Sequence, residues 1–221
     1  MSFNAKRLVW TGIIPNILLI LLADQALKIW VKLSFELYGG LELIPGVLEL
    51  EFVENPGMAF GWMIPGTGGK LALSIFRVVA VVGIAFYIRK LLHSKAHKGL
   101  VICVSLIMAG AMGNIIDSLV YGLIFDTGMF FDPAMGDYVN YLGISHMDGS
   151  GYAPMLMGNV VDMLHIVVTL PEWSPIAPGQ KVFPPVFNIA DSAITVGVIL
   201  ILLRQRTFFK NTAEGPLAAE A

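Results

Sequence analysis

Charge is scarce in this 221-residue chain: Asp, Glu, Lys and Arg together make up 14% of it, against 56% hydrophobic residues. A soluble globular domain carries about 25% charged residues. With a mean hydropathy of +0.75, the composition is that of an integral membrane protein. Cysteine is rarer still. Cys103 stands alone, which excludes an intrachain disulfide, and its place inside an apolar run predicts a buried, inert thiol. The formal net charge is -2 and no Lys/Arg cluster is interleaved with aromatics, so a nucleic-acid surface is excluded. GxSxG, HExxH and P-loop signatures are missing too, which removes the chemistries they carry. His146 and His165 have no partner at metal-ligand spacing, so both are expected to be surface residues.

Long apolar runs are what the chain has in abundance. Four of them, about 8–27, 71–88, 99–117 and 187–203, are long enough to cross a bilayer as helices, which takes roughly 20 residues. Lys6 and Arg7 precede the first run as they would a signal peptide, but LLADQALKIW offers no small-x-small cleavage site. That run is therefore expected to be a retained helix, kinked at Pro15. Cytoplasmic loops carry the Lys/Arg excess. Lys6, Arg7, Arg89, Lys90, Lys95, Lys98, Arg204, Arg206 and Lys210, nine of the 14 basic residues, fall on one side, which places both termini in the cytoplasm. The expected fold is membrane α-helical: one integral domain over 1–210 with four transmembrane helices, outer loops 28–70 and 118–186, and a disordered tail over 211–221.

With that topology the near-membrane carboxylates gather at the outer face. Asp24 ends helix one, Asn114 and Asp117 end helix three, and Asn188 and Asp191 open helix four. One such residue is an ordinary helix end in the headgroup region; on three helices together they point to a site, because ionisable groups in spans usually face the bundle interior. GNIIDSLV (113–120) and FNIADSAI (187–194) share the pattern N-I-x-D-S, and an i, i+3 spacing puts Asn and Asp on one helix face. Asp24 and Lys28, at i, i+4, can pair. In the first outer loop Leu48, Leu50 and Phe52 alternate with Glu49, Glu51 and Glu54, a period of two that predicts a half-buried strand in a small extracytoplasmic sheet. Pro56 and Gly57 then make a turn that fixes Asn55 near the helix ends. In the second loop GNVVDMLHIVV (158–168) is an apolar stretch broken by Asp162.

Two carboxylates, Asp162 and Asp191, can perform acid/base hydrolysis if they sit close enough to share one proton. The helix N-terminus favours negative charge at Asp191. A proton-coupled transporter would also use carboxylates in a membrane, but it needs polar residues at mid-depth. VICVSLIMA and ITVGVILILL have little to offer there. A non-catalytic membrane scaffold is a further alternative; in it Asp162→Asn and Asp191→Asn would do no harm.

DQALK (24–28), NPGMAFG (55–61), GNIID (113–117), VVDM (160–163) and FNIAD (187–191), in this order, resemble the motifs of bacterial lipoprotein signal peptidase, signal peptidase II. The resemblance covers about residues 10 to 205 and implies an aspartic endopeptidase of the bacterial inner membrane. Its substrates would be prolipoproteins, cut just before a diacylglyceryl-modified cysteine at the periplasmic face. It implies Asp162 and Asp191 as the catalytic pair, and Asn55, Gly57, Asn114, Asn188 and Ala190 as substrate-side or supporting positions. Asp24, Lys28 and Asp117 would hold the helix ends. It implies no metal or cofactor, a chain acting as a monomer in the bilayer, and inhibition by globomycin-type cyclic peptides. Two departures stand out. The family reads GNxxDR where this chain has Ser118, and Arg77, roughly 10 Å in from the outer end of helix two at helical rise, can substitute by snorkelling. Residues 119–159 form an insert, rich in aromatics, that either covers the groove or lies along the lipid, or else is a tolerated disordered insertion.

Overall fold

Helices form where the apolar runs predict them. The computed structural model describes residues 3–56 and 66–210; Gly57, the rest of NPGMAFG and the tail 211–221 lie outside the described residues. Helix α1 spans Phe3–Ser34, α2 Gly66–His93, α3 Lys98–Ile124 and α4 Ile189–Phe208. Over Phe3–Ser34, Gly68–His93 and Lys98–Ile124 the first three are long and apolar enough to cross a membrane. In α4 the uncharged stretch is Ser192–Leu203, between Asp191 and Arg204. Pro15 has no N–H to donate and its ring crowds the carbonyl four residues back. The chain answers with a π-helical turn over Val9–Ile13, immediately before it.

Two compact units share these helices. One holds residues up to Leu22, Val79–Met112 and the chain from Ile189 onward; the other holds Ala23–Val78 and Gly113–Asn188. In the first, Ile13, Ile88, Leu91, Leu100, Val101 and Val104 form the core. Trp10, Leu19, Phe86 and Leu203 are exposed, the outward apolar surface of a chain that lives in lipid. Helices α3 and α4 approach through small residues, as membrane helices do. A Cβ on Gly110 would lie 2.2 Å from the Ala190 carbonyl oxygen, so any side chain there would force the helices apart. Cys103 is buried, as expected.

The second unit is built on a sheet. Strands β1 (Gly40–Ile44), β2 (Leu48–Asn55) and β5 (Val160–Ile166) pair antiparallel in the order β1-β2-β5. Leu50 and Phe52 face a core of Val31, Tyr121, Phe125, Val161 and Met163, while Glu49 and Glu51 take the other face. Glu54, expected on the face of Glu49 and Glu51, instead has the parity of Leu50 and Phe52, and it is buried against Lys32. Helix α1 therefore runs beyond the expected end at residue 27 and on to Ser34, because its charged last turns find partners inside the protein rather than in water.

The insert is folded, so the disordered alternative is set aside. It holds a hairpin, β3 (Phe130–Asp132) with β4 (Asp137–Val139), and is fastened to α1 and β2. Lys32 Nζ donates to the Thr127 carbonyl at 2.9 Å, Tyr141 Oη donates to Glu54 at 3.1 Å, and the Met129 N–H donates to Glu54 at 2.8 Å. Around Lys32 stand the rings of Phe52, Phe125, Tyr141 and Tyr152, with centroids 5.0 to 5.7 Å from Nζ, an arrangement that stabilises a desolvated ammonium. Farther along, burial alone would push the Asp126 carboxyl up. Hydrogen bonds from the His146 backbone and ring and from Ser145 and Thr127 outweigh it and hold the group at about 2.

Candidate active site

Strand β5 presents Asp162, paired through its backbone with Val53 of β2. The residue is only 5% exposed, and a carboxylate that dry must be met by donors. Asn188 Nδ2 donates to Asp162 Oδ1 at 2.6 Å, and Asn55 Nδ2, from the end of β2, donates to Oδ2 at 3.5 Å. Asn188 Nδ2 also lies 3.1 Å from Asn114 Oδ1 and 3.3 Å from the Val161 carbonyl. The two N-I-x-D-S copies thus meet at their asparagines.

Beneath them lies a buried ion cluster. Lys28 Nζ is 2.9 Å from Asp24, 2.8 Å from Asp117 and 2.9 Å from Asn114 Oδ1, and none of these three charged side chains is exposed. Asp117 further accepts from Gln25 Nε2 at 2.8 Å and from the Val161 N–H at 3.2 Å. The result is a continuous path, Lys28 to Asn114 to Asn188 to Asp162, that ties the orientation of the carboxylate to helix α1.

Helix α3 supplies Asp117 and Ser118 on a π-helical turn, Asp117–Tyr121. Such a turn releases carbonyls from the helical ladder. The Ser118 carbonyl accepts from the Gly158 N–H at 3.0 Å. A Cβ on Gly158 would sit 2.2 Å from the Asp117 carbonyl oxygen, so only glycine allows the chain into β5 to approach so closely. Arg77 Nη1 donates to Ser118 Oγ at 3.4 Å, and both line a pocket with Asn55, Lys70, Ser74 and Gly158.

The structure brings Asp24, Lys28, Asn55, Arg77, Asn114, Asp117, Asp162 and Asn188 together in one unit. Asp191 lies in the first turn of α4, three residues after Asn188, and Ala190 beside it is fully buried. Sequence reasoning missed Gln25, Glu54, Lys70 and Asn159. Gln25 and Glu54 carried a signal: one sits inside DQALK, and the other falls on the inward positions of β2. For Lys70, which meets Asn159, and for Asn159 itself no sequence pattern pointed inward. His165 needs correction. It is not a surface residue: its ring is 7% exposed and its Nδ1 contacts Glu51.

The family model for signal peptidase (SPase) II matches residues 16–207. The chain belongs to the signal peptidase II family. Among curated relatives, the lipoprotein signal peptidase of Porphyromonas gingivalis is 39% identical over 193 residues, 85% of this chain and 79% of the relative. The lipoprotein signal peptidase of Amoebophilus asiaticus is 35% identical over 210 residues, 92% of this chain and 81% of the relative. A bacterial membrane enzyme solved by the in meso method at 2.3 Å resolution shares the fold, with a TM-score of 0.54, 22% identity and coverage of 91% of this chain and 92% of that one. The protein is a multi-pass membrane peptidase, and the family lends no support to the transporter alternative.

Proposed function

We propose that the chain is an aspartic endopeptidase that removes the signal peptide from diacylglyceryl-modified prolipoproteins, cutting just before the lipidated cysteine. The observation that carries this reading is the buried path from Lys28 through Asn114 and Asn188 to Asp162, which fixes one carboxylate on strand β5; Asp191 follows Asn188 by three residues along the chain, in the first turn of α4. Asp162 and Asp191 form the pair and share one proton. The ionised member takes a proton from water as the oxygen attacks the scissile carbonyl; the neutral member gives its proton to the departing nitrogen. The amide bond breaks to a carboxyl on the signal peptide and a free amino group on the cysteine, and the pair ends with one proton again.

A signal peptide is an apolar helix, so its scissile bond must enter sideways from lipid, and backbone unwound at that depth has to be covered by protein. The sheet and the folded insert provide the cover. Basic residues at the start of α1 (Lys6, Arg7), around the α2–α3 connection (Arg89, Lys90, Lys95, Lys98) and at and just past the end of α4 (Arg204, Arg206, Lys210) support cytoplasmic termini, with α4 as the fourth span and the site at the periplasmic face of the bacterial inner membrane. The chain acts as a monomer, and globomycin-type cyclic peptides occupy the substrate groove. Incubating the purified chain in detergent with a prolipoprotein, with and without its diacylglyceryl group, tests the reading by mass spectrometry. Cleavage before the cysteine in the lipidated form alone is expected; equal cleavage of both forms removes the assigned specificity.

Arg77 serves as the cation that GNIIDS does not supply at Ser118. Its guanidinium reaches Ser118 Oγ, and Ser118 in turn donates to the Asn114 carbonyl at 3.2 Å, which places positive charge beside the polar path. Arg77→Ala is expected to lower kcat/KM roughly 100-fold, the scale of losing one donor to developing charge, with thermal stability near wild type. Near-normal cleavage by a well-folded variant ends the idea.

A further inference from the structure

The outward face of the sheet carries a second group of ionisable side chains that the peptidase chemistry does not use. Glu49 and Glu51 sit two residues apart on β2 and so project from the same face. His165 of β5 is the backbone partner of Glu49. One carboxylate oxygen from each glutamate and one ring nitrogen of His165 lie within 4.8 Å of one another. The imidazole is fixed rather than swinging, since it is buried with Nδ1 on the Glu51 carboxylate. Lys181 Nζ stands 2.9 Å from the other nitrogen, Nε2.

We propose that Glu49, Glu51 and His165 form a structural divalent-cation site of the zinc class, which Lys181 closes when no ion is bound. Two carboxylates neutralise a divalent ion. One imidazole nitrogen with two carboxylate oxygens is a borderline N/O set that suits zinc better than calcium or magnesium, which prefer oxygen alone. Metal bonds of about 2.0–2.2 Å in tetrahedral geometry hold ligand atoms roughly 3.4 Å apart; here the three atoms lie within 4.8 Å of one another.

Lys181 follows from the proton inventory. An ammonium only donates, so its contact leaves the lone pair on Nε2 and the proton on Nδ1, facing Glu51. An ion held through Nδ1 needs the lone pair there. The proton moves to Nε2, no proton is lost from the neutral ring, and Lys181 loses its acceptor and turns out to solvent, where the residue is already exposed. Ion and lysine are thus alternative occupants. A bound ion would cross-link β2 and β5, the strands that carry Asn55 and Asp162, three residues along β5 from the proposed catalytic carboxylate. The site stands on this geometry alone and does not depend on the assignment of the catalytic pair.

The test is calorimetric titration of ZnCl2 into the full, tag-free chain in detergent after chelator treatment, with CoCl2 absorption as a spectroscopic check and MgCl2 as a control. Wild type is expected to bind one Zn2+ per chain, in preference to Mg2+, and to gain thermal stability from it. Glu49→Gln/Glu51→Gln should weaken zinc by more than the roughly 10–100-fold that losing an outer-shell partner costs. Lys181→Ala should tighten it roughly 10-fold, the scale of one charge-assisted hydrogen bond. No one-to-one binding by wild type, or unchanged zinc affinity in Glu49→Gln/Glu51→Gln, overturns the site. Unchanged affinity in Lys181→Ala overturns its closure by lysine.

Discussion

Asp162→Asn and Asp191→Asn are each expected to reduce turnover of a lipidated prolipoprotein by roughly 10²–10⁴-fold, the range that positioned proton transfer contributes. Both substitutions keep shape and volume, so they test proton chemistry rather than packing. At position 162 the amide can still turn its oxygen toward Asn188 Nδ2, which preserves the 2.6 Å contact while removing the group that takes or gives a proton. The same change gives up the longer contact from Asn55 at 3.5 Å. If the two carboxylates share a proton, neither variant can be rescued by the other residue, because each step of the cleavage needs one member ionised and the other neutral. The wild type should then show a bell-shaped pH profile whose limbs belong to the pair. Full activity in either variant removes the mechanism, and with it the assignment of the chain to aspartic chemistry.

How much of this site is visible in the sequence depends on whether a residue's partner is local. Asp24 and Lys28 form their pair at i, i+4, and 2.9 Å separates them in the structure. The two N-I-x-D-S copies are legible because they repeat, and their asparagines do meet. Strand β2 is legible from its alternation, but Glu54, grouped there with Glu49 and Glu51, has the even parity of Leu50 and Phe52 and lies inside. Strand β5 was not legible as a strand: VVDMLHI has nearly every residue buried, so it shows no period of two, and only its pairing with β2 identifies it. The same pairing moves His165 from the expected surface to a position beside Glu49. The insert was legible by composition but not by fate. Its aromatics could have met lipid; instead Tyr141 and Tyr152 surround Lys32, a contact more than a hundred residues long that no local pattern records. The end of α1 was expected too early for a related reason. Lys28 and Lys32 read as residues leaving the membrane, whereas both are buried against acids from distant segments, which lets α1 continue to Ser34.

Lys28→Met should be the most damaging single change to stability. Methionine roughly fills the volume of the lysine stem but leaves Asp24 and Asp117 buried with no cation between them, and breaking a buried ion pair by removing one partner costs about 3–5 kcal/mol. Set against the 5–15 kcal/mol or so that holds a typical domain folded, that is a large fraction. Gln25 still donates to both carboxylates, at 3.1 Å to Asp24 and 2.8 Å to Asp117, and the Val161 N–H still reaches Asp117, so the loss should stop short of unfolding the chain outright. Thermal unfolding in detergent, followed by tryptophan fluorescence, measures it. Lys28→Met/Asp117→Asn supplies the decisive comparison. Removing one stranded negative charge should restore part of the stability, so that the two substitutions together cost less than the sum of their separate effects. A simple sum, or a Lys28→Met protein that melts with the wild type, would mean that the three charges do not act as a unit. Activity should fall further than stability in Lys28→Met, because Asn114 loses the donor that holds its carbonyl oxygen in place, and Asn188 with it loses a fixed approach to Asp162. In the double variant the missing Lys28 donor is not replaced, so turnover should stay low even where the melting temperature recovers.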